Sequence, residues 1–167
     1  MNRRQALKTS AAAMTGAILA SAATAQASAK SYEDQSQASL ETVMALMGAM
    51  GRGDMEAMAG LMADDMVWLN AGDPTLPWIG PWEGKDQIFA FLAVFSENFQ
   101  TTKWENTDIL ASEDTVAIFG DMNGITTKSG QPIGDFTFAL RAKVRDGQVV
   151  LWNWFEDSFA VSQAYHG

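Results

Sequence analysis

The side chains of this 167-residue chain that could do chemistry are carboxylates, amides, hydroxyls and indoles. With no Cys there is no thiolate metal site, thiol nucleophile or disulfide. The one His, His166, is next to the last residue, where chain ends fray. That argues against a His–carboxylate base, a multi-histidine metal centre or a Ser-His-Asp triad. Among the acids, Asp108 follows Asn106 and Asp157 follows Asn153 in stretches rich in β-branched and aromatic residues. Alternate residues of a strand share a face. One parity gives Trp104, Asn106, Asp108 and Leu110. A second gives Val149, Leu151, Asn153, Phe155 and Asp157, and Trp68 with Asn70 ends an earlier strand. Converging from three strands, these groups would line a pocket walled by Trp68, Trp78, Trp104 and Phe155. Two carboxylates in a dry pocket resist ionising together, so one pKa rises and the pair can serve as acid and base. The expected chemistry is proton transfer without cofactor or metal. Asp157 would move the proton, Asp108 and Asn70 would orient it or a water, and Asn106, Asn153 and Phe155 would touch the ligand.

The elements that must hold these groups follow from periodicity. Leu40, Val43, Met44, Met47 and Met50 make one helical stripe, ended by Gly51-Arg52-Gly53. Asp54 is an N-cap for a short helix carrying Met55, Met58, Leu61 and Met62. These methionines are expected to be packing, adaptable to a bulky apolar guest, and not metal ligands. A strand over 66–69 leads into a Pro- and Gly-rich loop over 70–84. A third helix runs from about Asp86 to Phe99, with Ile88, Phe89, Leu92, Phe95 and Phe99 inward. Strands are predicted over 102–111, 115–127, 133–145 and 148–159, with Asp146-Gly147 a strong hairpin turn. Three helices followed by an antiparallel meander is an α+β layout, helices covering one face of a curved sheet. In the last strand the Trp152/Trp154 parity is expected on the convex side, as a homodimer contact.

The start of the chain reads as an address. Arg3, Arg4 and Lys8 form a basic head, Ala11 to Ala23 a weakly apolar stretch, and Ala25–Ala29 offers two small-x-small sites. The adjacent arginines are similar to a twin-arginine export signal. Residues 1–29 are thus expected to be an export signal, 30–38 a flexible lead-in and 39–167 one domain, placed in the periplasm or secreted. The stretch is too short and Ala-rich for a membrane span. The net charge is −9, and removing the basic head would make the domain more acidic still. Phosphate backbones and anionic lipid would repel it, so no nucleic-acid partner is expected.

The chain resembles the SnoaL-like (polyketide cyclase-like) group of the nuclear-transport-factor-2-like superfamily. The carrying residues are Gly53-Asp54, Met66-Val67-Trp68, Leu76-Pro77-Trp78-Ile79-Gly80, Trp82-Glu83-Gly84, Arg145 to Val149 and Phe155-Glu156-Asp157. The resemblance implies a cone-shaped sheet whose three N-terminal helices enclose a deep pocket, in a protein that is commonly dimeric. A weaker similarity joins Leu151–Asp157 and Trp104–Asp108 to the limonene-epoxide hydrolases. That similarity implies a catalytic Asp157, a second carboxylate at Asp108 and a water-holding Asn70. Asn106 stands where those enzymes carry an arginine, and Trp68 where they carry a tyrosine. Two functions are therefore expected in competition. One is an exported enzyme doing acid–base chemistry of cyclase, isomerase or hydrolase type on an apolar small molecule. The other is a non-catalytic module that binds such a molecule.

Overall fold

The computed structural model describes the backbone of residues 3–167 and the side chains of residue 26 and residues 28–167. The expected export signal lies almost wholly outside the described side chains. Helix α1 (Arg3–Arg52) buries Val43, Leu46 and Ala49 on one stripe. Residues 30–38, expected as a flexible lead-in, are helical and continuous with it. Ser36 docks this stretch: its Oγ donates to Tyr32 O at 2.8 Å and accepts Glu113 N–H at 2.9 Å. Gly53, at a φ of 65°, stops the helix, and Asp54 caps α2 (Met55–Leu61) by accepting Ala57 N–H.

The strands are β1 (Met62–Asn70), β2 (Gly80–Glu83), β3 (Phe99–Ser112), β4 (Thr115–Thr126), β5 (Phe136–Arg145) and β6 (Gln148–Glu156). Helix α3 (Gly84–Asn98) joins β2 to β3, and α4 (Ser158–His166) ends the chain. The sheet order is β2-β1-β6-β5-β4-β3. Every neighbouring pair is antiparallel except β1–β6, which is parallel, so the sheet is mixed and not the antiparallel one expected. A parallel pair needs a long crossover, and everything between β1 and β6 supplies it. The Asp146-Gly147 turn, with both residues at positive φ, closes the β5–β6 hairpin as the sequence predicts.

The sheet is curved but unclosed. In a flat sheet β3 and β6 would stand roughly 14 Å apart, yet the Trp104 and Trp154 rings are 5.4 Å apart. On the concave side, α1, α2 and α3 cover the volume expected to be a deep pocket. Trp78, Trp152, Phe91, Leu46, Met58, Met62 and Met66 fill that volume, all fully buried in one core cluster. Trp68 lies 5.0 Å from Phe91 and 5.1 Å from Trp152, ring to ring, which locks the centre.

Candidate functional site

Three strands repeat one local device. Trp68 Nε1 donates to Asn70 Oδ1 at 3.0 Å, Trp104 Nε1 to Asn106 Oδ1 at 2.9 Å, and Trp154 Nε1 to Glu156 Oε2 at 2.8 Å. A spacing of two puts each pair on one strand face, so the indole can clamp the polar head beside it. All three pairs lie on the inner face. Asn106, Gly120, Phe138 and Glu156 form one rung across β3 to β6, because Asn106 pairs with Gly120, Gly120 with Phe138 and Phe138 with Glu156.

Above that rung stands an aromatic cluster. Trp104 is 4.6 Å from Phe138 and Phe138 is 4.7 Å from Trp154, ring to ring. Phe138 and Trp154 are buried, whereas Trp104 is 42% exposed at the rim. Gly120 makes the stack possible. A Cβ there would come within 2.1 Å of Glu105 O and 2.6 Å of the Phe138 ring. Glu156 is half-buried here, and burial pushes its carboxyl above the usual glutamate range. The Trp154 N–H opposes that rise and the neighbouring Asp157 charge adds to it.

The other expected site residues are placed differently. Asn70 is buried on the inner face, but its Nδ2 is tied back to Trp78 O at 3.4 Å. Trp68 and Trp78 are core residues, not walls of an open pocket. Asp108 is exposed on the outer face, opposite Phe119, because an extra residue at Thr107 bulges β3 and reverses its parity. An extra residue at Val150 does the same in β6. Val149 pairs with Val144 but Leu151 with Lys143. Beyond it Trp152 and Trp154 face inward, 1% and 9% exposed, so the expected dimer contact through them is corrected. Asn153 and Phe155 face outward instead. Asp157 is exposed, and its carboxylate caps α4 by accepting Ala160 N–H at 3.2 Å. The strand expected to run to Phe159 ends there. Asp108 and Asp157 therefore do not meet inside the molecule.

Over the ends of β4–β6 lies an open groove of about 480 Å³. Phe119, Asp121, Thr137, Ala139 and Phe155 line it from the outer sheet face, with Glu156 and Asp157 at the end of β6. Farther along the molecule, α4 is latched to the 70–80 loop. Asp73 accepts from Ser162 Oγ, Thr75 Oγ1 and Thr75 N–H, and His166 Nε2 lies 2.8 Å from Thr75 Oγ1. The Ser162 hydroxyl, with the Thr75 donors, pulls the Asp73 carboxyl down to about 2. Among the described residues no cluster of three His, Cys, Asp or Glu side chains is placed to hold a metal ion. None of the helices there is long and apolar enough to cross a membrane.

Sequence parity missed Glu156. Its signal was present as Trp154-x-Glu156, the same spacing as Trp68-x-Asn70 and Trp104-x-Asn106. A family model described as the SnoaL-like domain matches residues 43–152. Solved structures with the same fold include an NTF2-like protein from Burkholderia xenovorans LB400, with TM-score 0.73 and 23% identity. The match covers 78% of this chain and 97% of that one. TerC, co-crystallised with polyporic acid, matches at TM-score 0.67 and 19% identity over 78% of this chain and 99% of its own. An LEH-like epoxide hydrolase from M. tuberculosis matches at TM-score 0.61 and 17% identity, covering 79% and 87%. No curated protein sequence matches the chain.

Proposed function

The chain belongs to the SnoaL-like domain family, and on that premise we propose that it holds an apolar small molecule against the aromatic rim of its inner sheet face. The observation that carries this reading is Trp104, an exposed indole resting on the rigid, buried Phe138–Trp154 stack. A flat apolar guest covering that ring would remove both surfaces from water without reorganising the protein. TerC, of the same fold, was co-crystallised with polyporic acid, which supports a small organic molecule as the ligand class. Native mass spectrometry of the purified chain should show an apolar small molecule released on denaturation. Trp104→Ala should lower its occupancy about tenfold, and unchanged occupancy rejects the rim as the site.

A second reading is catalytic and rests on Glu156, the carboxyl on the aromatic face whose neutral form burial favours. The chemistry would be cofactor-free proton transfer of the cyclase, isomerase or hydratase type. Glu156 would take the role the sequence suggests for Asp157. Wash-out of α-deuterium from a deuterated cyclic ketone, followed by NMR, should be accelerated by the chain and not by Glu156→Gln. Acceleration that survives the substitution rejects this role.

The basic head and small-x-small sites of residues 1–29 support export, by a twin-arginine route, to the periplasm or beyond it. Intact mass of the chain recovered from the cell envelope should correspond to a start after Ala27 or Ala29; an unprocessed mass counts against export. The outer sheet face supports a homodimer. It exposes Leu110, Phe119 and Phe155 between an acidic row of Asp121 and Asp157 and the basic Arg141. Two-fold stacking would bring Arg141 of each copy toward the acidic row of the other.

A further inference from the structure

We infer that the fold itself chooses between the two small-x-small cut sites, so that the exported chain starts at Ser28 and not at Lys30. The inference rests on the reading that residues 1–29 are an export signal, and it adds where the signal ends and what decides it.

Helix α1 runs without a break through both sites and into the domain. One of its faces, made of Ser28, Ser31, Tyr32 and Gln35, meets Glu113 of the β3–β4 turn across an open groove of about 580 Å³. Steps of three, one and three residues keep these four side chains on one side of the helix. Contact with the domain thus opens at Ser28, the residue that follows Ala25-Gln26-Ala27. The first anchor is Tyr32, whose hydroxyl lies 2.7 Å from Ser112 Oγ. One turn later comes Ser36, which is buried, accepts the Glu113 N–H and donates to Tyr32 O. Ser39, nearly a turn beyond, is buried too.

A peptidase needs the segment it cuts unwound and extended, so in a folded chain it acts on the fraction that has opened locally. On a twin-arginine route the domain folds before it crosses the membrane, and the peptidase meets α1 already docked. The two sites then differ in what has to come apart. A cut after Ala27 puts Ser28, Ala29 and Lys30 on the far side of the broken bond, and all three precede the anchors. A cut after Ala29 puts Lys30, Ser31 and Tyr32 there. Extending Tyr32 separates its hydroxyl from Ser112 and its carbonyl from the Ser36 hydroxyl. Losing two hydrogen bonds, one of them exposed to water, makes the open form for the second site rarer by roughly tenfold. The products differ as well. After the first cut the whole docked face stays with the domain, whereas the second removes Ser28 from it.

The test is intact mass spectrometry of the envelope form, after expression of the full chain in a bacterium with twin-arginine export. In the wild type the Ser28 start should exceed the Lys30 start roughly tenfold. Ser112→Ala and Ser36→Ala undock α1 while leaving every residue next to either cut unchanged. Together they should bring the two starts to comparable amounts. Ser112→Ala alone, which lies on β3, should raise the Lys30 share and serves if the double variant does not fold. A wild-type start at Lys30 overturns the inference and leaves export standing. A Ser28 start whose dominance survives both substitutions also overturns it, because the choice then lies in the residues around the sites. If the mass is that of the unprocessed chain, the export reading fails and this inference fails with it.

Discussion

An indole N–H offers a single hydrogen, and in three places this chain aims it at an oxygen two residues along the same strand. The result fixes Asn70, Asn106 and Glu156 in defined rotations on a face otherwise made of rings. Trp78 and Trp152 show the contrast: their buried N–H groups meet no acceptor among the described residues. Asp73 is the residue whose ionisation reports most directly on folding. Its folded pKa is depressed below the ordinary aspartate value, so the stability it contributes is present above about pH 4 and is lost as pH falls toward 2. Asp73→Asn should therefore lower Tm at neutral pH and flatten the acid limb of Tm against pH between those values. An acid limb identical to wild type shows that the latch to α4 contributes nothing. At this scale the sequence was half legible. Trp104, Asn106, Trp68 and Asn70 do face inward, as alternation predicts. Glu156 was hidden by Asp157, which carries the family similarity.

Elements explain that substitution of one acid for the other. Period-two reading assumes an unbroken strand, and β3 contains extra residues at Thr102 and Thr107 and β6 one at Val150. Nothing in the local residue types marks any of these bulges. The hairpin at Asp146-Gly147 was legible because positive φ demands particular residues, and the Asp54 cap because an orphan N–H demands an acceptor. Asp157 obeys the same capping logic. Its replacement by Ala should destabilise the chain by about 1 kcal/mol in urea titration, and Asp157→Asn should recover much of the loss. A loss that Asn does not recover would mean the carboxylate has another task.

For the whole molecule, the α+β layout and the inward helical stripe of α1 could be read from the sequence, since both follow from periodicity. The filled interior could not, because the same Trp, Phe and Met residues can line a cavity or occupy it. The outer face makes the remaining prediction. Sedimentation at micromolar concentration should give a dimer, and Phe155→Glu should give a monomer of unchanged fold by circular dichroism. A wild-type monomer, or a Phe155→Glu dimer, removes the outer face as the contact. The bulge at Thr107 also bears on how relatives of this chain are compared. If β3 kept Thr107 but ran on from Asn106 in unbroken alternation, Asp108 would turn toward the aromatic stack and Ile109 away from it, with every letter of the sequence unchanged. Among such proteins, two strands of matching letters can present different acids to the stack, so the regularity of a strand is itself a determinant of chemistry.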